Sequence, residues 1–206
     1  MKSYKIVFTM KSPVVFNDLN PLDSNLCGMA FNGFVNNTDV VYDNIEHFDG
    51  VPMASLPIIS PCEVTRHRMK SNLNGFFERH NCYNLLKDND VFLNKDLDGN
   101  TGHELYTRGG SFKVYNAKFI TYYITGKLEF LQQMLQKMHR AIGGHVTKGY
   151  GEYQDVEFYE ADGGKIGILD PSGNLIRPIP LVMAETLGLP KDKYIIKDGR
   201  VKAPYN

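Results

Sequence analysis

The sequence has no apolar run long enough to span a bilayer, so no membrane role is expected of it. Cysteine is scarce: Cys27, Cys62 and Cys82 form no CxxC pair and leave an odd thiol over. That pattern offers neither a zinc-ligand spacing nor a disulfide framework, and it predicts buried thiols in a reducing cytoplasm. There is no internal repeat, no low-complexity segment and no GxxxxGK[ST] phosphate loop. Net charge is also absent, at zero over 206 residues. With 42% hydrophobic and 22% charged residues, the chain has the composition of a folded protein, enough for one domain with a sizeable core or two small ones. The opening MKSYKIVFTMKSPVV is interrupted by polar residues and reads as a strand rather than a signal peptide.

The zero net charge hides three blocks. Residues 1–65 hold three Lys/Arg against seven Asp/Glu, residues 66–151 thirteen against seven, and residues 152–206 seven against nine. The middle block, at +6, is a local field that suits an anionic ligand.

Along the chain, residues 4–9 (YKIVFT) read as a first strand, with Val15 as its furthest end. Pro21 and Asp23 then signal a helix over 23–35, with Leu22, Leu26, Met29 and Ala30 at helical spacing. The Asn/Asp-rich stretch 36–50 reads as a surface loop, and VPMASLPIIS and CEVTRHRMK as two strand-like segments punctuated by proline. Residues 71–110 lose all periodicity, which predicts a protruding hairpin or arm. Residues 111–126 are dense in β-formers and predict a bent strand or a hairpin. The spacing of Leu128, Leu131, Met134, Leu135, Met138 and Ile142 predicts a helix over 127–142, stopped by Gly143 and Gly144. YGEYQDVEFYE predicts a period-two strand, LDPSGN a turn, and LVMAETLG a short helix before a polar tail. This β-α-β-β-α-β order predicts an α+β, ferredoxin-like (RRM-like) domain over 1–164 with 66–110 as an inserted arm. Residues 165–206 form a C-terminal extension packed on the same domain.

The stretch RAIGGHVTKGYGEY packs Gly143, Gly144, Gly149 and Gly151 into nine positions. Glycines at such density let a ligand approach the main chain. Lys148 supplies a point charge, with Lys137, Arg140 and His145 nearby, and Tyr150 and Tyr153 offer faces for unpaired bases. Amides, cations and aromatics together suit single-stranded nucleic acid. The glycines follow a helix instead of leading into one, so a nucleoside triphosphate is not the expected ligand. A glycine-rich connection with a bulge in the next strand would account for the same glycines without any ligand.

The residues 127–160, about a sixth of the chain, resemble the signature of the RAMP superfamily of CRISPR-associated proteins. In that signature an amphipathic helix precedes a loop of the form GG-x-x-(S/T)-(K/R)-G-(F/Y)-G and then a strand; Gly143, Gly144, Thr147, Lys148, Gly149, Tyr150 and Gly151 match it. The N-terminal FTMKSPVVFNDLNPLDSNLCGMAF is similar to the family's strand, loop, "LD" and small-residue helix, with Leu22 and Asp23 on the motif. Length and the single glycine loop look most like the Cas-five group, above all its type IV version. The resemblance implies a subunit that holds the 5′ handle of the CRISPR RNA and caps the backbone of an effector complex. Its partners would be the backbone and large subunits, and target DNA in the assembled complex. Residues 143–151 would lie against the RNA and 66–110 would be the arm. His145 and Val146 depart from the small polar or basic residues usual there.

Arg66, Arg68 and Lys70 recur at period two, which on a strand puts them on one face along a phosphate backbone or on a solvated edge. Phe76 and Phe77 follow as an anchor or a wedge. Metal-free RNA cleavage would need a base and a general acid; the candidates are His67, His80, His139 and His145, aided by Arg66, Arg68, Arg79, Lys148 or Tyr150. None lies at a spacing that marks a catalytic pair. The reading is therefore a non-catalytic RNA binder without metal or cofactor. Its alternatives are a metal-independent endoribonuclease using His67, His80 and His145, or a ferredoxin-like assembly module that binds protein alone. Residues 94–104 imitate a calcium loop but place Leu105 where the bidentate Glu belongs, so an Asp-Gly turn is expected.

Overall fold

In the computed structural model, which describes residues 1–16, 20–32, 38–72, 107–138 and 140–190, strand β1 (Lys2–Met10) is the organising element. Its alternate residues Tyr4, Ile6 and Phe8 are buried while Lys5, Val7 and Thr9 stay half-exposed on the other face, as the two-residue period of a strand requires. The chain divides into two units, Met1–Thr65 with Val114–Asn206, and Arg66–Lys113. No helix among the described residues is long and apolar enough to cross a membrane.

In the first unit, β1 is followed by β2 (Val14–Val15), helix α1 (Leu22–Asn32), a single turn α2 (Asp39–Tyr42), the short strands β3 (His47–Phe48) and β4 (Val51–Pro52), and β5 (Ile58–Ile59). Strand β6 (Val64–Asn72) leads into the second unit, and β7 (Thr107–Tyr115) leads back. Then come β8 (Phe119–Gly126), α3 (Leu128–Gln132) continued by a π-helical turn (Gln133–Met138), a 3-10 turn (Val146–Lys148), β9 (Tyr153–Glu160) and α4 (Leu181–Thr186). The fold is mixed α and β, with antiparallel sheets and few helices. The main sheet has the order β5-β8-β1-β9, every neighbour antiparallel.

One apolar cluster unites the inner face of this sheet with α1 and with α3 and its continuation. It joins Ile6, Phe8, Ile120, Tyr122, Ile124 and Val156 to Leu22, Leu26, Met29 and Ala30 of α1 and to Leu131, Met134 and Leu135. Phe8 packs edge-on against Tyr122 and Tyr153, with ring centroids 5.9 and 4.9 Å away. Burying side chains of this size stabilises by roughly 1.5–3 kcal/mol each. A smaller cluster, Val51, Met53, Ile168 and Met183, holds the C-terminal segment. There a buried ion pair crosses the fold: Arg177 Nη1 donates to Asp23 Oδ1 at 2.6 Å and Nη2 to Oδ2 at 3.3 Å, with both side chains fully buried. The same guanidinium also donates to the Ala54 carbonyl. Two ionic groups are thus removed from water on condition that they hold each other.

Several expectations change. The first strand ends at Met10, and Val14–Val15 instead pair with Val114 and Tyr115 of β7. Within 36–50 the chain is not a plain surface loop: Val41 and Ile45 are buried, and Ile45 bridges to Gly126. Residues 111–126 are neither one bent strand nor a hairpin, because β8 joins the main sheet while β7 pairs with β2 and β6. The helix over 127–142 ends by Met138, short of Ile142. Gly143 and Gly144 therefore do not stop it. The Ile142 N–H donates to the Gly151 carbonyl at 2.9 Å, and the Arg140 carbonyl accepts from Tyr153 N–H at 2.9 Å; long-range backbone pairing replaces the last helical turn.

The period of β9 is broken as well. Thr9 faces Asp155 and Met10 faces Tyr153, so Gln154 is an extra, bulged residue. That lets both Tyr153 and Val156 point inward. The helix over Leu181–Thr186 and the LDPSGN turn form as expected; Asp170 Oδ1 accepts the N–H groups of Ser172 and Asn174, both at 2.8 Å. Residues 94–104, Phe76, Phe77 and the polar tail from 191 lie outside the described residues.

Candidate functional site

The glycine loop is built in two parts. At its base, Gly143 has φ +86° and a Cβ there would sit 2.5 Å from the Val15 carbonyl oxygen and 2.9 Å from Val14 Cγ2. Its N–H donates to Asn25 Oδ1 of α1 at 2.9 Å. Gly144 N–H donates to the Val15 carbonyl at 2.7 Å. Gly151, at φ +76°, returns the chain: its N–H donates to the Pro13 carbonyl at 2.8 Å, and a Cβ would overlap the Ile142 carbonyl oxygen. At Gly143 and Gly151 the space of a side chain is filled by the protein's own backbone and side chains, and not by a ligand.

The tip is different. His145 adopts the left-handed conformation (φ 57°) and opens a 3-10 turn over Val146–Lys148, which Gly149 closes at φ +85°. No atom lies within 4 Å of where a Gly149 Cβ would be. His145, Val146, Thr147, Lys148 and Gly149 are all exposed, and Tyr150 is half-buried. A rigid base therefore carries a cationic, solvent-facing turn. Such a turn can meet a phosphate with Lys148.

Around the loop root, Arg140 is exposed, as is Lys137 one turn earlier. Lys11 pairs with Glu152 at 2.8 Å, which offsets the carboxylate next to the loop. Tyr153 does not offer a stacking face. It is 3% exposed, its ring meets Phe8, and its hydroxyl donates to the Leu135 carbonyl at 2.6 Å. Burial pushes its phenol well above the ordinary value, Arg140 opposing, so it stays protonated and donating.

The other expected site residues belong to the second unit. Arg66, Arg68 and Lys70 occupy alternate positions of β6, and Arg66 is exposed. His67 is exposed, with its ring 6.1 Å from that of Phe112. His80, Arg79 and His139 lie outside the described residues. The structure thus brings together Gly143 to Gly151 and Arg140.

Sequence reasoning missed Asn25, which ties the loop to the core: its amide donates to the Pro21 carbonyl at 3.2 Å while its Oδ1 accepts from Gly143. The signal was available, because Asn25 stands three residues after Leu22 and four before Met29, a polar amide on the apolar stripe. Arg177 carried less signal, as one charge among Leu175, Ile176, Pro178 and Ile179. No known protein-family model matches the chain, and no curated protein matches it significantly.

Proposed function

We propose that this protein is a non-catalytic RNA-binding subunit of a CRISPR ribonucleoprotein effector complex, one that grips the 5′ handle of the CRISPR RNA and caps the backbone of the assembly. The observation that carries the reading is the two-part glycine loop, whose base is locked to Pro13–Val15 and Asn25 while Thr147, Lys148 and Gly149 project into solvent. An exposed cation on a rigid support suits a phosphate backbone, since little order must be imposed on binding. A ferredoxin-like domain is supported by the sheet order. Counting only β1, β5, β8 and β9, with α1 and α3 between them, the chain runs β-α-β-β-α-β, and its first strand is flanked by its third and fourth. Arg66, Arg68 and Lys70, on the strand that enters 66–110, would extend the phosphate contacts along an arm. Backbone and large subunits, and target DNA in the assembled complex, are the partners this role implies.

Incubation with a labelled CRISPR-repeat RNA in EDTA, read on gels for both retention and length, tests the reading. Bound, intact RNA is the expected result, with weaker retention by Lys148→Ala. A discrete shorter product would replace it by the metal-independent endoribonuclease, with His67, His80 and His145 to be substituted next. No retention even at low salt would overturn it in favour of a protein-only assembly module.

A further inference from the structure

Two backbone irregularities face each other at the root of the glycine loop. The helix after β8 widens into a π-turn over Gln133–Met138, and β9 opens with the bulge at Gln154. Each is a device that re-aims side chains and is often found beside functional sites. Between them lies a pocket of about 240 Å³ lined by Leu135, Gln136, Arg140, Gln154, Asp155 and Val156, with Tyr153 as its remaining wall. That is smaller than the roughly 300–1,000 Å³ of pockets for drug-sized ligands, so it suits one planar group.

Its chemistry is paired but not self-cancelling. Arg140 and Asp155, both exposed, line one pocket, yet among the described residues no ion pair joins them. Asp155 Oδ1 accepts the Val156 N–H at 2.8 Å, which fixes the carboxylate and leaves Oδ2 and the second lone pair of Oδ1 able to accept. Gln136 spans the pocket side of the helix to the Val156 carbonyl at 3.4 Å. A planar ligand that engages both charged groups bidentately presents two acceptors on one edge and two donors on the next. Among the RNA bases, guanine does so: O6 and N7 face a guanidinium, while N1–H and the 2-amino group face a carboxylate. Adenine lacks the paired donors, and uracil has a single one.

We propose that this pocket receives one guanine base of a bound RNA strand, with Arg140 donating to its O6/N7 edge and Asp155 accepting from its N1–H and 2-amino groups. The inference rests on the RNA-binding reading above, and it adds base selectivity at a place where the loop tip supplies backbone grip. Ala141 and Glu152 pair at the root, so the pocket residues Arg140 and Tyr153 flank the point where the loop begins and ends.

Fluorescence anisotropy of the full chain decides it, at about 50 mM salt, where phosphate contacts are strong. The probes are a labelled twelve-residue oligouridine and the same strand carrying one central guanosine, adenosine or inosine. Guanosine should bind about tenfold tighter than adenosine, with inosine, which lacks the 2-amino group, in between. Asp155→Asn, which keeps the bond to Val156 N–H, should erase that preference, so that the four strands bind alike. Lys148→Ala should weaken every strand alike. Equal binding of all four strands, unaltered by Asp155→Asn, overturns the guanine pocket and leaves the RNA-binding reading standing. No binding of any strand overturns both.

Discussion

The base and the tip of the glycine loop use the same residue for opposite reasons. At Gly143 and Gly151 glycine is needed because the protein's own atoms, Val15 and Ile142 carbonyl oxygens among them, occupy the space of a side chain. At Gly149 that space is open, and glycine serves only the positive φ that ends the 3-10 turn. The base is also wired inward, through Asn25 to α1 and through Asp23 of the same helix to Arg177. Counting glycines therefore overstates how much of the loop meets a ligand. The part that faces solvent is the five residues His145 to Gly149.

If the base is structural and the tip functional, substitutions should sort by depth. The largest loss is expected where the wiring is deepest. Asp23→Ala leaves a fully buried guanidinium without its carboxylate and should cost about 3–5 kcal/mol in urea unfolding. An unchanged midpoint would show that α1 is not anchored through this pair. Gly151→Ala should follow at about 2–5 kcal/mol, from the left-handed backbone plus overlap with Ile142; thermal melts would read it, and a loss no greater than at Gly149 would break the comparison. Asn25→Ala removes the acceptor of the Gly143 N–H and should cost about 1–3 kcal/mol. Amide exchange at Gly143 should speed up with it, whereas a change confined to distant residues would mean that Asn25 acts elsewhere.

At the tip the effects on folding shrink and those on binding grow. Gly149→Ala meets no atom and should cost only about 1–2 kcal/mol for its positive φ. Lys148→Ala, at an exposed position, should shift stability by no more than about 0.5 kcal/mol. Its mark would be on RNA affinity, with the slope of log affinity against log salt falling by about one. Equal salt slopes for the two proteins would remove Lys148 from the interface.

Much of the scaffold was legible beforehand because local rules dominate it. Tyr4, Ile6 and Phe8 alternate inward as a strand face should, and α1 begins at Leu22, beside the Pro21 and Asp23 signals. The stripe of Leu131, Met134 and Leu135 is buried, with Lys127, Glu129, Gln133 and Lys137 outside it. The same periodicity misled at Ile142. That residue is buried as the stripe requires, but its N–H is claimed by Gly151 rather than by a helical carbonyl. Periodicity reports which side chains are buried and is blind to which backbone partner wins. Tyr153 was misplaced for a related reason: the bulge at Gln154 shifts its parity and turns it into the core.

The sequence by itself determined the inward face of β1, the start of α1, the buried stripe of the second helix, the existence of a glycine-rich, lysine-bearing loop, and the surplus of cations in the middle of the chain. Hydrophobic period, turn chemistry and charge are written residue by residue, and they need no knowledge of distant partners. Only the tertiary structure decided that Gly143 and Gly151 are filled by Val15 and Ile142, that Asp23 meets Arg177 across 154 positions, and that Arg140 and Asp155 share a pocket. Those outcomes depend on competition for the same backbone groups and the same volume among segments far apart in sequence, and that competition is resolved only when the chain is packed.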